Sequence, residues 1–101
     1  MERVYSLEEI KELLYPIFMA NAVYSAILFG SYAKGEATSE SDIDIVIDSK
    51  GELLNINFYG LLEQMIKALG KKVDLIEISE IRENSPIYEE LQKEGVLLYE
   101  R

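Results

Sequence analysis

A chain of 101 residues, 49% hydrophobic and 29% charged, has an ordinary globular composition, and its length suits one domain spanning 1–101 that buries about 65% of its unfolded surface. The absence of cysteine and histidine excludes disulfides, zinc–thiolate sites, serine–histidine triads and imidazole bases, so catalysis here must use carboxylates, hydroxyls, lysines or a bound metal. Nineteen acidic against ten basic residues give a net charge of −9, which argues against direct nucleic-acid binding through Lys and Arg and favours a basic protein partner or metal ions.

The N-terminal stretch MERVYSLEEIKELL is acidic and helical, without the features of a signal peptide. No apolar run approaches the roughly 20 residues that span a bilayer, so the expectation is a cytoplasmic protein with no membrane association. Ser6 and Glu9 form a capping box. Leu7, Ile10, Leu13, Leu14, Ile17 and Phe18 then recur at helical spacing. Pro16 falls inside that pattern and predicts a kink or a separated last turn. Tyr24 to Phe29 is a short apolar run stopping at Gly30, a buried strand. Residues 31–41 are polar and small, a loop with one helical turn near its start.

Asp42 to Asp48 reads as a second strand, alternating acid and isoleucine until Val46, and Lys50-Gly51 turns the chain. Phe58, Leu61, Leu62, Met65, Ile66 and Leu69 define an amphipathic helix, with Asn57 as its N-cap and Gly70 as its stop. Residues 71–78 read as a third strand. Ser85-Pro86 opens a last short helix that Gly95 ends, and Val96 to Tyr99 adds a small edge strand. The order α-β-β-α-β-α, with a possible final β, predicts an α/β (α+β) fold: a small mixed sheet with helices packed on it.

The informative segment is Phe29-Gly30-Ser31-Tyr32-Ala33-Lys34-Gly35, followed by Ser41-Asp42-Ile43-Asp44-Ile45. Side chains two apart on a strand share a face, so Asp42 and Asp44 can converge while Ile43, Ile45 and Ile47 face the core. Two such carboxylates repel unless a cation lies between them, and hard divalent ions share such ligands with substrate phosphates. Gly30-Ser31 could be a plain tight turn, but beside that pair it reads as a phosphate-binding one. Aspartate is disfavoured in strands, which gives the pair its functional weight.

Asp74, in the next strand, is the candidate third carboxylate, as a two-metal centre needs one more near the attacking hydroxyl. Glu77 lies on the opposite face by parity. Lys34 could steady a phosphate or simply be a solvated loop lysine. Asp48 reads as a turn residue, Ser41 as a loop cap, and Lys71 with Lys72 as a solvated strand entry. Tyr32 could line a nucleotide pocket or belong to the core.

The linked motif of a hydrophobic strand, Gly30-Ser31, ten intervening residues, Asp42-Ile43-Asp44 and the later Asp74 resembles the minimal nucleotidyltransferases of the DNA polymerase beta superfamily. The resemblance covers nearly the whole chain. It implies a nucleotidyltransferase-like fold, a triphosphate-binding turn at Gly30 and Ser31, metal-bridging ligands at Asp42 and Asp44, and a third carboxylate at Asp74. Members of this size resemble antitoxins encoded beside a helical HEPN-domain ribonuclease toxin, some of which transfer AMP from ATP onto a toxin tyrosine. The chain ends at Arg101 without the extra helical domain of larger relatives, so a partner is expected to complete the site.

The reading is therefore a metal-dependent nucleotidyltransferase. Two Mg²⁺ ions on Asp42, Asp44 and Asp74 would hold ATP whose outer phosphates rest on Gly30, Ser31 and Lys34, with a HEPN toxin as acceptor. Its rival is an antitoxin that neutralises a partner by contact alone, with an idle nucleotide pocket. Transfer to a small molecule such as an aminoglycoside is disfavoured, since so short a chain leaves little surface for that pocket. The abundance of Glu, Lys and Ile hints at a thermophilic source.

Overall fold

The computed structural model describes residues 3–101; the reading of the N-terminal stretch falls in part on Met1 and Glu2, outside the described residues. Helix α1 runs Leu7–Ala20 and starts where the capping box places it. Glu9 N–H donates to Ser6 Oγ at 3.1 Å, and Ser6 N–H donates to Glu9 Oε1 at 2.9 Å. Its apolar stripe buries Ile10, Leu14 and Phe18. Pro16 neither ends nor divides the helix, which continues to Ala20. Pro16 and Glu12 are both exposed, so the residue whose carbonyl loses its helical partner lies on the solvent side of α1.

Strand β1 is Ser25–Phe29, followed at once by the short helix α2, Gly30–Lys34. Strand β2 is Ile43–Asp48, helix α3 Ile56–Leu69, and strand β3 Val73–Glu77. A 3₁₀ turn at Ile78–Glu80 leads to helix α4, Pro86–Glu94, and strand β4, Val96–Glu100. Ser85 caps α4 through Tyr88 N–H at 3.2 Å, with Pro86 at its first position. Gly95 caps the C-terminus of α4 in an extended conformation; its φ of −66° requires no glycine, but a Cβ there would stand 2.4 Å from the Leu91 carbonyl and 2.8 Å from Ile27 Cγ2.

The start of α3 corrects the sequence expectation. The N-cap is Asn55, not Asn57; its φ is positive, +52°, and its side chain makes no capping hydrogen bond.

The sheet order is β3-β2-β1-β4. β1 pairs antiparallel with β2 and with β4, whereas β2 and β3 run parallel across α3. α1 and α3 cover one face, packing Ile10, Leu14, Leu61 and Met65 on Ile43, Ile45 and Ile47. α4 covers part of the other, where Leu91 meets Phe29 and Val46. Both faces of β2 are therefore occupied at its centre, which explains the continuous apolar run Ile45-Val46-Ile47. Asp44 shares its parity with Val46 and so lies on the α4 side.

Candidate active site

Register alone assembles the acidic pair. Phe29, the last residue of β1, is opposite Asp44 across the antiparallel ladder, and Asp44 is opposite Asp74 across the parallel one. The chain then turns at Gly30, whose φ is +74°, outside the comfortable range of other residues. A Cβ at Gly30 would lie 2.2 Å from Asp44 Oδ2. Glycine is thus required twice, for the turn and for the carboxylate lying against it.

That carboxylate is electrostatically loaded. Burial pushes the Asp44 carboxyl up to about 6, reinforced by the Asp74 hydrogen bond and by the charges of Asp74, Asp42 and Glu90. Asp74 stands exposed on the edge strand. Asp42 lies just before β2, where Ile43 N–H donates to Lys72 O at 3.0 Å. That bond brings Lys72 Nζ to 3.7 Å from Asp42 Oδ2. Lys72 is therefore Asp42's cationic partner, and with its side chain 71% exposed it remains the solvated strand entry the sequence predicts. Lys71 departs from that reading, since its Nζ donates to Ser39 O at 2.7 Å and to Arg3 O at 3.2 Å. A cavity of about 460 Å³, lined in part by Arg3, Ser41, Asp42, Lys71 and Lys72, opens beside this pair.

At the turn, Gly30 N–H donates to Glu90 Oε2 at 2.9 Å, and Lys34 Nζ lies 3.9 Å from the same oxygen. Ser31 opens the helical turn of α2, half-buried beside them. Tyr32 is 4% exposed; it belongs to the core and also lines a second cavity of about 400 Å³ beside Val4–Leu7. Its hydroxyl has no hydrogen-bond partner among the described residues.

The remaining residues keep the roles expected of them. Asp48 Oδ1 accepts from Lys50 N–H at 2.9 Å, as a turn residue does. Ser41 Oγ accepts from Thr38 N–H at 2.8 Å within the loop. Glu77, on the opposite face, accepts from Ser49 N–H at 3.1 Å and Ser49 Oγ at 2.9 Å. It fastens the β2 exit and stays away from Asp74.

Sequence reasoning missed Glu90 and Lys72. Lys72 was accessible through parity, because it lies two residues before Asp74. Glu90 meets Gly30 across sixty residues and carries no local signal.

Among the described residues, no three acidic side chains are disposed as they stand to hold a metal ion. The donor set nevertheless fits a hard divalent cation: the groups are short carboxylates, and the Asp44 pKa, raised first by burial, is raised further by the charges of Asp74, Asp42 and Glu90, a repulsion that such a cation relieves.

A mixed sheet carrying an aspartate pair against a glycine turn defines the nucleotidyltransferase class. The chain belongs to the family described as Polymerase beta, Nucleotidyltransferase, which matches residues 8–101. Protein adenylyltransferase MntA of Thermococcus cleftensis is 38% identical over 55 residues, 54% of this chain and 56% of that protein. A candidate protein adenylyltransferase of Methanocaldococcus jannaschii is 44% identical over 77 residues, 70% of this chain and 77% of its own. Among solved structures, a chain in a crystal structure of a toxin–antitoxin pair with AMP-PNP superimposes with a TM-score of 0.77. That match is 25% identical and covers 90% of this chain and 73% of the other.

Proposed function

We propose that this chain, as one domain over 1–101, is a cytoplasmic protein adenylyltransferase that moves AMP from ATP to a hydroxyl of a HEPN-domain toxin, acting as its antitoxin. The observation that carries the reading is the register Phe29–Asp44–Asp74, which sets the Asp44 carboxylate against the Gly30 turn with Asp74 opposite it on the neighbouring strand. The adenylyltransferase relatives and the AMP-PNP-bound toxin–antitoxin structure support the same direction.

Asp42, Asp44 and Asp74 are the residues that would hold two Mg²⁺ ions. When bound, the ions supply charge neutralisation at the phosphates and lower the pKa of the acceptor hydroxyl. The Ser31 hydroxyl and the backbone N–H groups of the Gly30-Ser31 turn bind the β- and γ-phosphates, with Lys34 balancing their charge. Asp74, exposed at the sheet edge, is open to an incoming acceptor and takes the proton of its hydroxyl. The acceptor oxygen bonds to the α-phosphorus, the α–β bridging bond breaks, and pyrophosphate leaves. No histidine is needed for these steps.

The test is mass spectrometry of the partner toxin after incubation with ATP and Mg²⁺. The proposal expects one or more AMP additions with the wild type and none with Asp42→Ala or Asp44→Ala. Toxin inhibition without a mass shift would instead establish an antitoxin acting by contact alone.

A further inference from the structure

Glu90 is an acidic residue that neither the motif nor the proposed chemistry uses. It immediately precedes Leu91, the side chain that anchors α4 against Phe29 and Val46. From that position one carboxylate oxygen accepts from Gly30 N–H at 2.9 Å and sits 3.9 Å from Lys34 Nζ. These are two of the groups assigned above to the nucleotide phosphates. The Glu90 side chain is 29% exposed, so water screens its charge only in part. A carboxylate oxygen has the charge sign and acceptor character of a phosphate oxygen, and it satisfies the same donors.

We infer that Glu90 is an internal competitor of the nucleotide: its carboxylate occupies the Gly30 turn while the site is empty, and the triphosphate displaces it on binding. The inference rests on the phosphate-binding reading of that turn. Lys34 is neutralised by Glu90 in the free protein and by phosphate in the complex, so its contribution to binding is reduced by the partner it gives up. The displaced carboxylate remains tethered beside the phosphates, where its like charge opposes them. Nucleotide affinity is therefore lower than the donors alone would provide. Movement of α4 away from Phe29 and Val46 would raise it.

Calorimetric titration with AMP-PNP and Mg²⁺ tests this on the full chain, comparing wild type, Glu90→Gln and Glu89→Gln. Gln keeps the length and one acceptor oxygen of Glu90 and removes its charge. Glu89, exposed on the same helix, controls for net charge. Glu90→Gln is expected to bind about tenfold more tightly, a change typical of one charge-assisted contact, while Glu89→Gln stays within about twofold of wild type. Unchanged or weaker binding by Glu90→Gln, or equal tightening in both variants, overturns the inference while leaving the nucleotide reading intact.

Absence of binding in all three proteins overturns both readings. A readout on the wild type covers the case of a misfolded variant: the Glu90 carboxyl carbon resonance moves on adding AMP-PNP and Mg²⁺. A resonance that stays fixed while nucleotide binds contradicts displacement.

Discussion

Removing the charge of Asp44 should stabilise the free protein while abolishing its chemistry. The Asp44 carboxyl is raised from 3.8 to about 6, first by burial and then by Asp74, Asp42 and Glu90. A carboxyl raised in this way favours folding below its unfolded value and loses that contribution as pH climbs through the folded value. Near pH 7.5 the full cost is present. A shift of that size corresponds to at most about 3 kcal/mol; Asp44 is only half-buried, so solvent screening reduces this to about 1.5 kcal/mol.

Asp44→Asn removes the charge and keeps a donor for Asp74. In EDTA at pH 7.5 its Tm should rise by about 6 °C or more, and the difference should vanish near pH 4. Thermal scans by circular dichroism across pH measure this directly. A Tm equal to or below wild type at pH 7.5, or a difference independent of pH, would refute the electrostatic account. Mg²⁺ should raise the wild-type Tm and leave that of the variant nearly unchanged.

Gly30→Ala introduces a Cβ 2.2 Å from Asp44 Oδ2 at a φ of +74°, so transfer activity should fall by about a hundredfold or more, as expected of a misplaced reacting group. Single-turnover kinetics of AMP transfer would show it. Glu77→Ala removes the acceptor of two buried donors, Ser49 N–H and Ser49 Oγ–H, while Oγ still accepts from Leu53 N–H, and should cost about 2–3 kcal/mol in urea unfolding. Activity per folded molecule should survive, because Glu77 faces away from the site. Ser6→Ala removes the acceptor of Glu9 N–H and should lower stability by about 1 kcal/mol in the same assay.

The acidic pair was legible because strand parity and register are period-two properties, written directly into Asp42-Ile43-Asp44 and Val73-Asp74-Leu75. The capping box at Ser6 and the Pro86 and Gly95 boundaries were equally local. Asn55 was hidden by its neighbours: Leu54 and Ile56, 63% and 84% exposed, look like core residues and blur the start of α3. Asn57 sits next to the first periodic apolar residue and drew the assignment. The continuity of α1 through Pro16 goes with the exposure of Glu12 and Pro16 on the solvent side of the helix, a tertiary fact. The Glu90–Gly30 bond and the loop carbonyls on Lys71 were also beyond reach, since each joins segments far apart in sequence. The register that sets Asp44 opposite Asp74 thus followed from strand parity, whereas the Glu90 and Lys71 contacts came only from the fold.

The central claim is that the three aspartates and the glycine–serine turn form one nucleotide–metal centre. A crystal structure grown with AMP-PNP and Mn²⁺, with anomalous diffraction locating the metal, examines this without relying on activity. Manganese peaks between Asp42, Asp44 and Asp74, with the triphosphate on Ser31, are the predicted result. Nucleotide bound with no metal at those carboxylates, or metal bound elsewhere, would contradict it.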